Sequence, residues 1–292
     1  MHILSLEESN NIIIELIKKN EPFCISRVGL GSETNSTYIY KNTNDITNQY
    51  LLNIIPTLHN NAGIYIDGDL NKLKIYCELY YDSVKQSDYL AAYTLDYYQR
   101  HQQFLSPLNK PALFSRILEP FYCFEENNIK PWSHYLIDKK VLIIHPFVES
   151  FKKQIENNFQ IYKDPEKKIF LDGQSFQFYK TFNTSGFNKT HRDWLETYTE
   201  MSNDIKKIDF DIALLGCGGY GMPLCNFINK KLNKSAIYVG GGLQLLFGVF
   251  GKRWEEISMW KKIIKENECK FIRPTDEEHA VNYKDIENGC YW

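Results

Sequence analysis

A glycine-rich turn is the first candidate for chemistry, within the segment DIALLGCGGYGMPLCNFI at residues 211–228. Its spacing, Gly216-x-Gly218-x-x-Gly221 directly after an apolar run, is that of a dinucleotide-binding fingerprint. Bare backbone N–H groups at the start of a helix suit a phosphate, because the helix dipole favours an anion there. The alternative is that these glycines only permit close packing of a helix on a strand. The predicted contact residues are Gly216, Gly218, Gly219, Tyr220 and Gly221.

The acidic partner of a dinucleotide site is missing from this sequence. An NAD site also needs a carboxylate at the end of the next strand, where it binds the ribose. Here that strand ends as IYVGGG, residues 237–242, without Asp, Glu or an Arg for a phosphorylated ribose. This argues against an NAD-dependent oxidoreductase, which remains the alternative enzyme class, and equally against a site for a methyl donor such as S-adenosylmethionine.

A basic cluster follows the same strand, in the segment VGGGLQLLFGVFGKRW at residues 239–254. Three glycines make a second bare strand end, an amide follows them, and a Lys-Arg pair stands on another glycine turn. Lys and Arg suit a diphosphate, since an Arg can fork onto two oxygens. The alternative is a solvated basic turn. The predicted contact residues are Gly240, Gly241, Gly242, Gln244, Lys252 and Arg253.

Two more apolar segments end in groups that could act on a substrate. Arg27 closes an apolar strand, where an unpaired charge would be costly, and Glu33 lies six residues further on. They are either ligand-binding residues or a structural ion pair. His145 ends the apolar run KVLIIHPF and is either a proton-transfer group or a hydrogen-bonded core histidine. Glu149, near the start of the next helix, is either a cap or a catalytic carboxylate.

The elements around these residues predict an α/β fold. From residue 139 onward, apolar runs alternate with amphipathic periods, which is typical of a parallel sheet covered by helices. We expect a single Rossmann-like domain over residues 1–292, with a mostly parallel sheet, a Rossmann-like half at 139–265 and a helical insertion at 70–130. Ligands of such sheets lie at the carboxyl ends of the strands. The four candidate segments should therefore face one crevice.

Two elements outside the candidate segments are predicted as well. Ser5 is a suitable N-cap for a helix that reaches Lys19, because Glu7 and Glu8 stand in its first turn. The segment KKIFLDG, residues 167–173, is predicted as a further strand.

Composition narrows the class of protein. Hydrophobic residues make up 43% of 292, enough for a core, and a net charge of −2 argues against a nucleic-acid partner. Seven cysteines without C-x-x-C spacing indicate reduced thiols rather than a zinc site or a disulfide framework. With no apolar run near the ~20 residues of a membrane span and no secretory signal, we expect a cytoplasmic protein, with peripheral membrane contact left open.

Five segments, in this order, resemble the glycosyltransferase-D (GT-D) fold and the related bacterial GT-D-like proteins. They are FCISRVGLGSE, WSHYLIDKKVLIIHPFVESFKKQ, FDIALLGCGGYGMPLCNFI, YVGGGLQLLFG with GKRW, and ENGCYW. The resemblance implies a Rossmann-like enzyme that transfers a sugar from a nucleotide sugar to a glycan acceptor, in the synthesis of a surface polysaccharide or glycoconjugate.

The resemblance also implies roles for individual residues. In GT-D enzymes an Arg-x-Gly segment runs into an Asp-x-Glu motif that holds a divalent metal, Mn²⁺ or Mg²⁺, on the nucleotide diphosphate. Arg27, Gly29 and Glu33 match this segment, whereas the position of the Asp is Gly31. Glu33 is therefore the expected catalytic or metal-binding carboxylate. Without a metal, the Lys-Arg pair of GKRW would neutralise the leaving diphosphate. The Gly31 departure also keeps open a non-catalytic protein that binds a nucleotide sugar or a glycan.

Overall fold

A parallel β-sheet forms the centre of the structure, a computed structural model that describes residues 2–28, 31–92 and 110–292. Its order is β3-β2-β1-β7-β6-β4-β5, and each strand pairs in parallel with its neighbours. This confirms the predicted α/β class with a Rossmann-like sheet. The seven strands are Cys24–Arg27 (β1), Tyr89–Ala92 (β2), Leu113–Phe114 (β3), Val141–His145 (β4), Phe176–Lys180 (β5), Ile212–Leu215 (β6) and Ser235–Tyr238 (β7).

Helices connect and cover the strands. The first begins as predicted, since Ser5 and Glu8 form a reciprocal capping box, and it ends at Lys19. Within the described ranges, no helix combines the length and apolar character needed to cross a bilayer. The α-helices are Leu6–Lys19 (α1), Ser32–Thr43 (α2), Gln49–Ala62 (α3), Leu70–Gln86 (α4), Val148–Glu156 (α5), Trp194–Ile205 (α6), Gly221–Lys230 (α7), Leu243–Leu246 (α8), Lys252–Glu255 (α9) and Ser258–Asn267 (α10). Shorter helical turns span Ser115–Leu118, Cys123–Asn127, Trp132–Leu136, Pro165–Lys167, Gly218–Tyr220, Asp276–Glu278 and Tyr283–Asp285.

The sheet separates two hydrophobic cores. Successive side chains of a strand point to opposite faces. In β4, Leu142 and Ile144 join the core that contains residues of α3, α4, α6 and α7. Val141 and Ile143 join the other core, with residues of α1, α5 and α10. Helices therefore bury both faces of the sheet, which accounts for the unbroken aliphatic run in this strand.

The stretch at 70–130 differs in part from the predicted helical insertion. α4 occupies its first part, but β2 and β3 follow and extend the sheet beyond β1, while residues 93–109 lie outside the described ranges. Both strands are short, with four and two residues. A strand of that length carries too little alternation to be separated from a helical pattern.

The fifth strand lies further along the chain than the sequence predicted. The strand expected at KKIFLDG is wrong, because that segment forms a short helical turn and irregular backbone. The apolar residue Ile169, which contributed to that prediction, is buried in the core on the α1 side of the sheet without being part of a strand. The strand is Phe176–Lys180, which forms one edge of the sheet and is exposed at Gln177 and Lys180.

A buried carboxylate fixes the C-terminal segment to the N-terminus of α5. Glu278 is 3% exposed. Its Oε1 accepts from the backbone N–H groups of Glu149 at 2.9 Å and Ser150 at 3.1 Å, in the first turn of α5. Its Oε2 accepts from the Thr275 N–H at 3.2 Å and from the Ser150 hydroxyl. The carboxylate of Glu278 thus caps the N-terminus of α5, where the helix dipole favours a negative charge.

Replacing Glu278 by alanine should destabilise the fold by about 3 kcal/mol, since several buried donors lose their acceptor together. Urea denaturation at neutral pH would measure the change. The matched control is Glu277→Ala at the exposed neighbouring position, which should keep the wild-type midpoint. Equal midpoints for the two variants would show that Glu278 does not anchor the segment.

Candidate functional site

A cleft of about 430 Å³ lies at the carboxyl ends of the parallel strands. The loops after β1, β4, β6 and β7 all contribute to its lining, so the four candidate segments face one crevice as predicted. The loop after β5 and the C-terminal residues complete it. The position is typical of ligand sites in α/β proteins, which lie outside the carboxyl ends of the parallel strands.

Arg27 extends from the end of β1 into this cleft. Its Nη1 donates a hydrogen bond to the backbone carbonyl of Val239 at 3.0 Å, at the end of the neighbouring β7. Gly240 follows with φ +79°, and a Cβ at this position would lie 2.5 Å from Nη1. Glycine is needed here both for the left-handed backbone and for the approach of the guanidinium.

Glu33 lies in the first turn of α2, a helix that the Asn- and Thr-rich sequence did not predict. The Ser32 hydroxyl donates to its Oε2 at 3.2 Å. Burial raises the pKa of this carboxyl group, and nearby Glu287 raises it further, whereas Arg27 lowers it. The cleft therefore contains a carboxylate that takes up a proton more readily than an exposed glutamate.

The residues around Glu33 do not fit a divalent metal. Gly31, which stands where GT-D enzymes have Asp, offers no side-chain oxygen, and its missing Cβ would lie 2.6 Å from Glu33 Oε2. The other carboxylate of the lining, Glu287, pairs with Arg253. In the described residues no three His, Cys, Asp or Glu side chains form a group that could hold a metal ion. The cations of the cleft are therefore side chains.

The GKRW turn contributes one of its two cations to the cleft. Arg253 lines it, pairs with Glu287 and lies 4.5 Å from the centre of the Tyr291 ring. Lys252 is exposed, does not line the cleft, and points its Nζ towards the Asn288 carbonyl at 3.5 Å. The prediction that both cations meet a ligand therefore fails for Lys252.

The glycines of the GCGGYG turn lie close to other parts of the protein. A Cβ on Gly219 would be 2.6 Å from the Ile64 side chain, and one on Gly221 would be 2.2 Å from the Tyr238 ring. Gly218, with φ +56°, lies against the Ala62 carbonyl. Close packing alone thus accounts for the fingerprint spacing. The turn still faces the cleft, which is lined by Gly216, Gly218, Gly219, Tyr220, Gly240 and Gly241.

Several predicted site residues lie outside the cleft lining. Glu149 is exposed and pairs with Lys152 at 3.1 Å, so it is not placed to be catalytic. Gln244 is fully buried and donates to the carbonyl of Tyr291 at 3.0 Å. Gly221 and Gly242 face protein side chains, and Gly29 falls outside the described residues. With the exception of Gly29, whose position the structure does not describe, these residues are described and do not form the lining of the cleft.

His145 lies at the end of β4 and lines the cleft, although it is only 3% exposed. Its Nδ1 accepts from the backbone N–H of Phe147 at 3.0 Å, so in the neutral ring the proton is on Nε2. Burial lowers the pKa of His145 to about 3. The ring is therefore neutral at physiological pH, where it can donate a hydrogen bond but is a poor proton acceptor.

Sequence reasoning missed a set of aromatic and polar residues in the lining. Tyr238 closes one side and donates from its hydroxyl to the Gly218 carbonyl at 2.9 Å. The loop after β5 was missed because the strand itself was misplaced, although an alternating FQFYK run followed by TFNTSG signals it. The missed residues include Asn61, Tyr80, Thr181, Phe182, Asn183, Thr184, Ser185, Tyr238, Ile286, Glu287, Tyr291 and Trp292.

Comparison with known proteins does not assign the site. No family model, curated protein or solved structure matches this chain. A Rossmann-like sheet supports many unrelated activities, so the fold does not indicate one. The chemistry of the cleft has to be inferred from its own side chains.

His145 should make the fold less stable in acid. Its pKa is near 6.5 in the unfolded chain and about 3 in the native protein, so only the unfolded state takes up a proton between these values. The free energy of unfolding should therefore fall as the pH drops from 6.5 to 3, and less steeply in His145→Asn. Denaturation curves at pH 4, 5 and 7 would measure this. A slope in His145→Asn equal to that of the wild type would refute the assignment.

Proposed function

We propose that this protein is a glycosyltransferase that transfers a sugar from a nucleotide sugar to a glycan acceptor, in the synthesis of a surface glycan. One observation carries the proposal: two guanidinium groups, Arg27 and Arg253, share with the carboxylate Glu33 a cleft at the carboxyl edge of a parallel sheet. The GT-D resemblance of the sequence supports the same activity.

The two arginines suit the diphosphate of the donor. A guanidinium binds phosphate oxygens with two parallel hydrogen bonds, and it keeps its charge at every physiological pH. The leaving nucleoside diphosphate gains negative charge as the sugar departs, and positioned cations stabilise that change. Arg27 and Arg253 would supply this stabilisation in a cleft whose residues do not fit a metal.

Aromatic rings suit the base and the ribose. Tyr80, Tyr238 and Tyr291 line the cleft together with Phe147. Rings of this kind offer flat apolar surfaces to a nucleobase, while tyrosine hydroxyls fix orientation. The volume is also adequate, since small-molecule sites in proteins span roughly 300–1,000 Å³.

Glu33 is the residue that we assign to proton transfer. During glycosyl transfer the acceptor oxygen bonds to the anomeric carbon and loses its proton, while the nucleoside diphosphate leaves with the electron pair of the broken bond. A carboxylate beside the reacting atoms can accept that proton. Because burial raises the pKa of Glu33, its basicity is closer to that required of a general base near neutral pH.

The cleft also bears on the two rival functions. Glu119 lies against Gly242, beyond the end of β7, but does not line the cleft, so it gives an NAD ribose no carboxylate there. The absence of an Asp at Gly31 favours the second rival, a protein that binds a nucleotide sugar without turning it over. Binding and turnover experiments separate that rival from the transferase.

Nucleotide sugars should stabilise the protein in a thermal-shift screen of UDP, GDP, dTDP and CMP sugars. A ligand at ~100 times its dissociation constant adds about 2.7 kcal/mol to the stability. The shift should be the same with and without Mn²⁺, and it should shrink in Arg253→Ala. Failure of every nucleotide sugar to stabilise the chain, with or without Mn²⁺, would count against the proposal.

Glu33→Gln should lower turnover at least 100-fold, the usual contribution of a general base, while donor binding is retained. Release of nucleoside diphosphate, measured with the best donor of the screen, is the readout. Glu149→Gln is the matched control, because its exposed side chain lies outside the lining and should leave turnover unchanged. Full activity of Glu33→Gln would remove the proton-transfer assignment.

A further inference from the structure

One wall of the cleft carries amides and hydroxyls instead of charges. It consists of Asn61, at the end of α3, and of Thr181, Asn183 and Ser185 in the loop after β5; we call these four residues the neutral wall. The ionised side chains of the lining come from other segments, namely the end of β1, the α2 N-terminus, α9 and the C-terminal residues. They are Arg27, Glu33, Arg253 and Glu287.

The backbone of the neutral wall is held in place by neighbouring groups. The Thr184 hydroxyl donates to the Gly63 carbonyl at 2.7 Å, and the Gly186 N–H donates to the Asn60 carbonyl at 2.8 Å. Asn282, from the C-terminal segment, donates to the Gly186 carbonyl at 2.9 Å. A ligand that binds here therefore orders little additional backbone, which lowers the entropic cost of binding.

The side chains of the wall remain available to a ligand. Within the described part of the chain, the Asn183 amide and the hydroxyls of Thr181 and Ser185 make no hydrogen bond to protein, and none is sealed away from solvent. The Oδ1 of Asn61 accepts from Asn60 at 2.7 Å, and its Nδ2 donates to no group among the residues that the structure describes. The wall thus offers a ligand both hydrogen-bond donors and acceptors.

An aromatic ring accompanies these groups. Phe182, between Thr181 and Asn183 in sequence, also lines the cleft. A pyranose has the matching chemistry, since its hydroxyls both donate and accept hydrogen bonds while its C–H face packs on an aromatic ring. A phosphate or carboxylate matches less well, because none of the four residues carries a positive charge to pair with it.

We infer that the neutral wall is a binding subsite for an uncharged sugar residue. This deepens the proposed function and rests on it in one respect: the sugar is either the one carried by the donor or the terminal residue of the acceptor glycan. The charged part of the cleft takes the diphosphate, and the neutral wall takes the sugar. Asn183 and Asn61 determine which hydroxyl pattern fits, because an unmatched hydroxyl leaves a polar group unpaired.

Saturation-transfer NMR with the methyl glycosides of glucose, galactose, mannose and N-acetylglucosamine tests the subsite without any nucleotide. At least one glycoside should receive saturation from the wild-type protein, and Asn183→Ala should weaken that glycoside about fivefold, the effect of losing a hydrogen bond. Asn53→Ala, on the exposed side of α3, is the matched control and should behave as wild type. Ser185→Ala serves as a second variant if Asn183→Ala folds poorly, as judged by its melting temperature.

A calorimetric arm distinguishes the two sources of the sugar. It compares the affinity of the best nucleotide sugar of the thermal-shift screen with that of its own nucleoside diphosphate. If the wall binds the donor sugar, Asn183→Ala weakens the nucleotide sugar about fivefold and leaves the nucleoside diphosphate unchanged. If it binds the acceptor, both affinities are unchanged in Asn183→Ala and only glycoside binding weakens.

Two results would overturn the inference. In the first, Asn183→Ala and Ser185→Ala fold normally and match the wild type in both the NMR and the calorimetric experiments. In the second, no glycoside receives saturation from the wild-type protein, and the wild type binds the nucleotide sugar and its nucleoside diphosphate with equal affinity. Its failure is separate from that of the transferase. Nucleotide sugars that stabilise a protein with an inert neutral wall would leave the transferase proposal standing. Glycoside binding that depends on Asn183, without binding of any nucleotide sugar, would keep the subsite and remove the transferase.

Discussion

The charge of Arg27, at the end of an otherwise buried strand, is the constraint on which the cleft depends. Its guanidinium crosses from β1 to the carbonyl of Val239 on β7, and the close approach requires Gly240 to be glycine. Burial raises the pKa of Glu33 and of Glu119, and Arg27 opposes the rise in both. One cation therefore joins two strand ends and partly offsets the rise that burial causes in the pKa of the carboxylate that we assign to catalysis.

The fold could be predicted where the sequence carries a long and regular signal. The aliphatic runs of β4 and β6 and the capping box at Ser5 are local, so their elements were found close to the observed bounds. The strand Phe176–Lys180 was missed because an edge strand is only half buried and its apolar character is weak. The helix with Glu33 was missed because its Asn and Thr residues have low helix propensity, and tertiary contacts override it.

The sequence predicted those residues of the site whose positions follow from the carboxyl ends of the strands. Parallel topology brings Arg27, His145 and the two glycine segments together, because their strands end at one edge of the sheet. Lys252 and Glu149 lie next to these segments in sequence, but their side chains point away, and spacing alone does not give direction. The glycine turn shows a further limit, since close packing and phosphate binding require the same absence of Cβ atoms.

The attachment of Glu278 to α5 has a consequence for how the cleft comes into being. The acceptor and its donors at Glu149 and Ser150 are separated by well over a hundred residues, and the Trp292 indole hydrogen-bonds the Glu278 carbonyl beyond them. Tyr291 and Trp292, which follow Glu278 in the chain, line the cleft beside the strand ends. During synthesis on the ribosome, a nascent chain can assemble most of its sheet while the cleft still lacks a wall. The complete cleft therefore requires contacts between residues far apart in sequence as well as the assembled sheet.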